Sequence, residues 1–359
     1  MKVFHCDHCG RLLFFENSTC VNCGRAVAFL PDIADVGSLD ADADGLWRSP
    51  LGGAEGRRYR LCQNYSDRQI CNWAVPEGED NAYCASCRLT HVIPDLTGRD
   101  AVLGLYRLEG AKRRLIYTLL ALDLPVRSRT DDPAAGLAFE FKADTPGAPG
   151  PVLTGHADGI ITINLAEADD AERERRRVAV HEPYRTLLGH MRHESGHYYW
   201  DRLIRDTDEL GAFRATFGDE RADYTAALAA HYQQGPPADW QARFVSAYAS
   251  AHPWEDWAET WAHYLHMVDT LETAAACGVS LRPRRPDEPA LAPVPPAIAT
   301  TPWPFERLLD GWFPLTYMLN NLNRGLGLGD AYPFVLSDPA VAKLRLVHDV
   351  VARWRSTGI

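Results

Sequence analysis

The sequence predicts an α+β protein in which two small cysteine-rich modules precede a mainly helical part with a small sheet. Eight cysteines near the amino terminus fall into two sets of four, which is typical of small modules folded around metal. Two short apolar runs, at 137–142 and 160–165, have the length and composition of strands. Longer segments with helical apolar periodicity follow in the remaining chain, which favours the mixed fold class.

Net charge and the distribution of apolar residues limit the kinds of partner that we expect. The formal net charge of the 359-residue chain is −11, so a general nucleic-acid binder is not expected. No apolar run reaches the roughly 18 residues of a membrane span. The first cysteine is residue 6, which leaves no room for a signal peptide before the first module. We therefore expect a cytoplasmic protein with reduced cysteines.

The first four cysteines form two C-x-x-C pairs, and each pair is followed by glycine. Glycine gives the turn room to point backbone N–H groups at the sulfurs. This spacing is typical of a zinc ribbon with four thiolate ligands and therefore no open coordination position. We expect a first structural zinc at Cys6, Cys9, Cys20 and Cys23.

A second set of four cysteines has a less regular spacing. Eight residues separate its first two members, twelve separate the next two, and a C-x-x-C pair closes it. We expect a second structural zinc at Cys62, Cys71, Cys84 and Cys87, with a role in folding. Cys277 is left over and is expected to be a free thiol.

The segment His193-Glu194-Ser195-Gly196-His197 has the pattern H-E-x-x-H. On a helix, residues four apart share a face, so both imidazoles can reach one zinc ion. Glu194 stands beside the first of them and can take a proton from a water on the metal. The pattern predicts a zinc hydrolase acting on peptide or amide bonds, with Glu194 as general base.

A catalytic zinc needs a third protein ligand, and two acidic segments can supply it. After Pro253, Glu255 and Glu259 are four apart, so one can bind zinc while the other holds a ligand imidazole. The rival is Glu220, 23 residues after His197, but Arg221 beside it suggests local ion pairing. We favour the segment after Pro253 and keep Glu220 as the alternative.

That segment resembles the E-x-x-x-D/E helix of the gluzincin metallopeptidases, and most closely their lethal-factor-type members. The resemblance implies that Glu255 is the zinc ligand and that Glu259 supports a ligand imidazole. A tyrosine seven residues before the ligand faces the scissile carbonyl in those enzymes. The resemblance therefore implies an oxyanion role for Tyr248, with Tyr264 as the reserve candidate.

The whole chain also resembles an uncharacterised bacterial family in which a zinc ribbon precedes a zinc-binding metallopeptidase. This resemblance implies a zincin-like peptidase fold and activity, with one catalytic and two structural zinc ions, but no particular substrate. The segments that carry it are 6–10, 13–17, 29–32, 84–89, 93–96, 183–190, 193–197, 252–259, 321–324 and 332–336.

The motifs and composition divide the chain into six predicted parts. The predicted parts are a zinc ribbon at 1–32, a linker at 33–58, a second four-cysteine module at 59–97, a zincin-like metallopeptidase domain at 98–280, a proline-rich connection at 281–304 and a C-terminal helical cap or subdomain at 305–359. Within the peptidase domain, the run at 160–165 is a candidate for the edge strand that pairs with an extended substrate.

The leading hypothesis is therefore a zinc-dependent enzyme with a protein or peptide substrate and a protein partner that could bind its zinc modules. A second hypothesis is an inactive adaptor that zinc stabilises. A third is a protease recruited to nucleic acid through its ribbons, which the acidic charge disfavours.

Overall fold

The structure is a computed structural model that describes residues 1–145, 147, 150–179, 184–292 and 304–357. Residues 293–303 of the predicted proline-rich connection and Pro183 of the motif at 183–190 lie outside the described residues. The chain forms two compact units. Unit 1 is Met1–Ala121 with Pro125–Arg173, and unit 2 is Leu122–Leu124 with Glu174–Ile359.

The secondary structure is of the α+β class, as the sequence predicts. The strands are β1 (Phe4–His5), β2 (Leu12–Leu13), β3 (Ala26–Leu30), β4 (Asp35–Ala41), β5 (Trp47–Arg48), β6 (Tyr59–Leu61), β7 (Ala74–Pro76), β8 (Thr90–Val92), β9 (Ala138–Lys142), β10 (Gly155–Ala157) and β11 (Ile160–Asn164). The α-helices are α1 (Gln63–Ser66), α2 (Arg99–Ala121), α3 (Asp170–Ala179), α4 (Leu187–Leu203), α5 (Leu210–Phe217), α6 (Tyr224–Gln234), α7 (Pro253–Ala276), α8 (Phe305–Gly325) and α9 (Asp338–Thr357).

Unit 1 contains a five-stranded antiparallel sheet in the order β3-β4-β5-β6-β7. A parallel β-bridge also pairs Phe29 of β3 with Trp73, the residue before β7. The two edge strands of the sheet are therefore also linked directly. The rings of Phe15, Phe29, Trp73 and Tyr117 pack together at centroid separations between 4.5 and 6.2 Å. Because Tyr117 lies on α2, this aromatic cluster attaches the long helix to the sheet.

The segment 33–58, for which the sequence predicts a linker, contributes β4 and β5 to this sheet. Its Asp/Gly-rich composition hides the strands because the buried stretch of β4 includes Gly37 and Ser38 among its apolar residues. A Cβ atom on Gly37 would collide with the Ser49 hydroxyl unless that side chain moved, so glycine fits most easily here. The predicted domain boundaries remain predictions.

A second sheet of unit 1 has the order β10-β11-β9-β8. The strands predicted at 137–142 and 160–165 are therefore present as β9 and β11. The expectation of an edge strand at 160–165 is wrong, because β11 pairs with β10 on one side and with β9 on the other. Its backbone groups are committed on both sides and cannot take an extended substrate.

Unit 2 is helical within its described residues, and α4 packs against α7 at its centre. Its core contains the fully buried side chains of Trp257, Trp261 and Tyr199, with Trp261 stacked on Tyr199 at 4.9 Å. In the C-terminal part, for which the sequence predicts a helical cap or subdomain, helix α8 continues past Pro314 to Gly325. No described helix is long and apolar enough to cross a membrane.

Candidate metal centre on helices α4 and α7

Helix α4 carries the H-E-x-x-H segment on one continuous helix, as predicted. It begins after Thr186, whose hydroxyl accepts a hydrogen bond from the Gly189 N–H at 3.0 Å. His193 and His197 are one turn apart on it, and their ring centroids are 5.0 Å apart. The helix therefore presents both imidazoles on the same face.

Helix α7 begins with an unusual cap. His252 accepts the Trp254 N–H through Nδ1 at 3.1 Å, and Pro253 occupies the first turn, where its missing N–H costs nothing. Glu255 lies in that first turn, where a carboxylate is favoured by the helix dipole. The cap thus fixes where Glu255, and Glu259 one turn later, face α4.

The two residues inside the motif let the helices approach closely. A Cβ atom on Gly196 would lie 2.8 Å from the Ala258 Cα, so only glycine fits. The indole N–H of Trp257 donates to the Gly196 carbonyl at 2.9 Å, and that of Trp261 donates to the Ser195 hydroxyl at 3.1 Å. These contacts hold α7 against the backbone of α4.

Three side-chain atoms converge between the helices. Glu255 Oε2 lies 3.0 Å from His193 Nε2 and 3.6 Å from His197 Nε2. Oε2 is buried and has no hydrogen-bond partner among the described residues, so the 3.0 Å approach does not have hydrogen-bond geometry. The donor atoms of the three residues all lie within 4.8 Å of one another.

This arrangement fits a zinc ion. Tetrahedral zinc with bonds of about 2.0–2.1 Å holds its nitrogen and oxygen ligands about 3.3 Å apart. The separations of 3.0 and 3.6 Å lie on either side of that value. Two imidazoles and one carboxylate are also a donor set of catalytic zinc sites, which keep a fourth position for water.

Glu259 and Tyr224 each hydrogen-bond to one of these side chains, and Ser246 in turn holds Glu259. His193 Nδ1 lies 2.7 Å from Glu259 Oε1, and Ser246 donates to Glu259 Oε2 at 2.6 Å. Tyr224 donates to Glu255 Oε1 at 2.6 Å. The acidic pattern after Pro253 pointed to Glu259 at this position. Ser246 and Tyr224 were not predicted, because neither stands in a motif.

The electrostatic environment keeps the two acidic groups of α7 ionised. Burial raises the pKa of Glu255, but the close approach and positive charge of His193 and His197 outweigh it and hold the pKa well below its ordinary value. Burial opposes ionisation of Glu259 too, and His193 again lowers its pKa overall. Both carboxylates are therefore available as negative groups beside the imidazoles.

Glu194 differs from these carboxylates. It is buried and makes no hydrogen bond with any described residue. Burial raises its pKa, although His193 and His197 counteract part of the effect. A buried carboxylate with a raised pKa and an uncommitted proton-accepting oxygen has the properties of a general base.

Tyr248 lies beside the cluster, in a single 3-10 turn at Tyr248–Ser250. Its ring centroid is 5.9 Å from that of His193. Burial and the nearby Glu255 raise the pKa of Tyr248 far above its ordinary value, so its hydroxyl remains a donor. The reserve candidate Tyr264 is placed differently, because its hydroxyl meets His348 Nδ1 at 3.3 Å on α9.

The rival ligand Glu220 is not part of the cluster. Its carboxylate forms an ion pair with Arg214 at 2.5 Å, which lowers the pKa of Glu220. The group of metal-competent residues within the described part of unit 2 contains Glu255 and not Glu220. The geometry thus favours the first of the two segments that the sequence left open.

The structure brings together each of the two predicted cysteine sets. Their sulfurs lie 3.8 Å apart for Cys6 and Cys23, 3.6 Å for Cys9 and Cys20, and 3.7 Å for Cys71 and Cys84. Zinc–sulfur bonds of about 2.3 Å in a tetrahedron give sulfur–sulfur separations of about 3.8 Å. Both sets therefore fit a closed four-thiolate zinc site.

The second set has a buried cation beside it. The Arg113 side chain, on α2, is 2% exposed and donates to the Ile70 carbonyl at 2.5 Å. Burial lowers the pKa of Arg113, but the negative groups Cys71 and Glu109 raise it by more. The net pKa is therefore above its ordinary value and the guanidinium stays charged. Four thiolates around Zn²⁺ carry about two net negative charges, which this cation partly offsets.

Comparison with known proteins places the chain in a family. Residues 103–350 match the family described as "putative zinc-binding metallo-peptidase", and residues 3–98 match a zinc-ribbon domain that spans both cysteine sets. The chain belongs to this metallo-peptidase family. The resemblance of the whole chain to a family with a zinc ribbon before a zinc-binding metallopeptidase is thereby confirmed.

The relatives are similar along nearly their whole length. One protein of Mycobacterium bovis and two of Mycobacterium tuberculosis, all named as uncharacterised, are each 45% identical over 352 residues, which is 98% of this chain and 95% of each relative. No solved structure matches the chain. The family models and the two cysteine sets together support zinc binding.

Proposed function

We propose that the protein is a zinc-dependent hydrolase that cleaves peptide or amide bonds. The observation that carries the proposal is the placement of Glu194. Its uncommitted carboxylate stands on the same helix turn as two imidazoles that converge with Glu255. A site that only held a structural metal would have no use for this carboxylate.

In the proposed reaction, His193, His197 and Glu255 would hold zinc, which would supply a Lewis acid for the carbonyl and lower the pKa of an attacking water. Glu194 accepts the proton of that water and delivers it to the leaving amine. Glu259 holds the His193 ring by its Nδ1 side, which supports the tautomer that leaves Nε2 free.

Tyr248 is proposed to stabilise the oxyanion. Its hydroxyl makes no hydrogen bond with the described residues, and its ring centroid lies 5.9 Å from that of His193. A phenol that stays protonated can donate to the oxygen of the tetrahedral intermediate. Tyr248→Phe is then expected to lower kcat by about 100- to 1000-fold while zinc content stays unchanged.

The two cysteine sets are proposed to hold structural zinc ions, which gives three zincs per chain, one catalytic and two structural. Their reduced cysteines are compatible with the cytoplasm, which we propose as the compartment. The substrate would then be a cytoplasmic protein or peptide. The zinc modules are a candidate surface for a protein partner.

One observation bears on recruitment to nucleic acid. Two neighbouring basic side chains, Arg57 and Arg58, are neutralised, because Arg57 pairs with Asp32 at 2.5 Å and Arg58 pairs with Glu77 and with Asp44. Charges committed in this way contribute little to a phosphate-binding surface. We therefore favour a substrate of protein over a role on DNA or RNA.

Zinc content tests the metal centre. Elemental analysis of wild type should give three zincs per chain, and the double variant His193→Ala/His197→Ala should give two. His91→Ala, which changes an exposed histidine, is the matched control and should keep three. Two zincs in wild type and in the double variant would overturn the third site and leave the adaptor hypothesis in first place.

Turnover tests the chemistry. We expect wild type to cleave members of a panel of unfolded proteins and amide substrates, and Glu194→Gln to lose cleavage while it keeps three zincs. Glu220→Gln, which changes the ion-paired carboxylate, should keep both zinc and activity. Equal rates for Glu194→Gln and wild type would contradict the general-base role.

A further inference from the structure

The two oxygens of Glu255 have different surroundings. Oε1 accepts a hydrogen bond from the Tyr224 hydroxyl at 2.6 Å. Oε2 faces His193 and His197 without any hydrogen bond among the described residues. Because a carboxylate only accepts, the phenol must be the donor. One oxygen is thereby committed to the protein and the other is left to a metal.

The Tyr224 ring is held firmly at this position. Tyr224 is the first residue of α6, and the Asp223 side chain caps that helix by accepting the Ala226 N–H at 2.9 Å. The ring contacts those of His252 and Trp254, at centroid distances of 5.1 and 5.9 Å. The starts of α6 and α7 therefore fix the hydroxyl together.

The same cap joins these two helix starts. His252, which caps α7 through Nδ1, also lies 3.1 Å from the Ala222 carbonyl through Nε2. A displacement of α6 relative to Glu255 would have to break this contact as well as the hydrogen bond of Tyr224. The direction of the Glu255 carboxylate is thus set by residues that do not touch the metal.

The binding mode of this carboxylate decides how many positions remain on the metal. A carboxylate that binds through both oxygens would occupy two positions, whereas a catalytic zinc needs one for water. We propose that Tyr224 is a positioning residue that restricts Glu255 to one metal-binding oxygen and so keeps a position open for water and substrate. This inference rests on the proposed function of the same site.

The structure separates this role from a purely structural one. Helix α6 has no fully buried residue, so loss of one hydroxyl oxygen should not affect folding. Tyr224→Phe removes the hydrogen bond but keeps the ring against His252 and Trp254. Tyr232→Phe is the matched control, because Tyr232 is on the same helix and its side chain is 67% exposed.

The test uses Co²⁺ alone as the probe of the site. The visible spectrum of the cobalt-loaded protein, minus that of cobalt-loaded His193→Ala/His197→Ala, isolates the third site from the cysteine sites. We expect wild type and Tyr232→Phe to show the stronger absorption of four-coordinate cobalt. Tyr224→Phe should show the weaker absorption of five-coordinate cobalt at full occupancy, with zinc affinity changed less than 10-fold.

Hydrolysis is the second readout, and Tyr224→Phe is expected to be at least 10-fold slower than Tyr232→Phe. An unchanged cobalt spectrum in Tyr224→Phe would overturn the proposal. Loss of the third-site metal from a folded Tyr224→Phe would also overturn it, since the hydroxyl would then be needed for binding itself. If the cobalt spectrum of Tyr224→Phe changes as expected but wild type cleaves no substrate, the result would support the positioning role and count against the proposed function.

Discussion

Gly196, inside the H-E-x-x-H motif, offers a sharp test of how the site is built. Gly196 faces the backbone of α7, and Gly196→Ala would add one methyl group where α4 and α7 are in contact. The new Cβ would lie 2.8 Å from the Ala258 Cα, 3.2 Å from the Ala258 carbonyl oxygen and 3.2 Å from the Trp261 Cβ. Two of these three atoms belong to backbone and cannot rotate away.

The cost of this change can be worked from those distances. Carbon atoms in contact prefer a separation of about 3.5–4.0 Å, so the helices must separate by roughly 0.7–1.2 Å. Overpacking of this kind typically costs about 1–3 kcal/mol. Alanine in place of helical glycine returns about 1 kcal/mol. We therefore expect the free energy of unfolding to fall by only about 0–2 kcal/mol.

The metal centre should suffer far more than the fold. Glu255 Oε2 and His197 Nε2 are already 3.6 Å apart, whereas the ideal separation is about 3.3 Å. Adding roughly 0.7 Å or more brings the pair beyond the 4.2 Å that two bonds of about 2.1 Å can span. Loss of a residue that supports a metal ligand lowers metal affinity by up to about 100-fold. Displacement of a ligand itself should cost at least as much, so we expect zinc affinity at this site to fall by about 100-fold or more.

Two measurements separate these effects. Competition with a chromophoric chelator gives zinc affinity, and urea unfolding followed by tryptophan fluorescence gives stability. The fluorescence reports mainly on unit 2, because unit 1 contributes only Trp47 and Trp73. Gly211→Ala is the control, since a Cβ on this helical glycine meets no atom within 4 Å. Wild-type zinc affinity in Gly196→Ala would refute the close-packing argument.

Three further predictions concern the cysteine modules, the support of His193 and a buried histidine. Cys71→Ser should lower zinc content by one per chain, and Cys277→Ser, at an exposed cysteine outside both sets, should not; equal zinc content would count against the second structural site. Glu259→Gln should weaken third-site zinc binding by about 10- to 100-fold in chelator competition, and unchanged affinity would mean that Glu259 does not hold His193. Burial lowers the pKa of His263 from its ordinary 6.5 to about 4, so between these values the unfolded chain binds more protons than the folded one and acidification reduces the free energy of unfolding. His263→Gln should remove up to about 3 kcal/mol of this pH dependence in urea unfolding at pH 7 and pH 4.5, and identical pH profiles would show that His263 titrates normally.

The parts of the site that the sequence predicted are those that depend on local geometry. His193 and His197 lie on one helix, so their common face follows from the helical repeat. The two cysteines of each C-x-x-C pair are also close in sequence. That the four cysteines of a set come together in one module follows from the need to surround a metal with four thiolates. The sequence could also place Glu255 near the start of a helix, because Pro253 and the acidic residues suit a first turn.

Sequence patterns did not reveal Tyr224 and Ser246, and the reason is physical. Each reaches the site from the irregular region between α4 and α7, where the chain makes short helices and turns. Their contacts depend on how those turns pack, and a lone tyrosine or serine at such a place has no periodic partner. The one available signal was local: Asp223 before Tyr224 indicates a helix start, which fixes the direction of the ring.

The same reasoning explains why the choice between Glu255 and Glu220 needed the structure. Both are acidic residues near a helix start, and both lie within reach of a metal by chain length. The difference is the partner of each carboxylate, since Arg214 occupies both oxygens of Glu220 whereas Tyr224 occupies only one oxygen of Glu255. A metal ion at Glu220 would therefore have to compete with a guanidinium that engages both oxygens, whereas Oε2 of Glu255 has no such competitor. The identity of the ligand thus depends on the donors around each acid rather than on its distance along the sequence from the histidines.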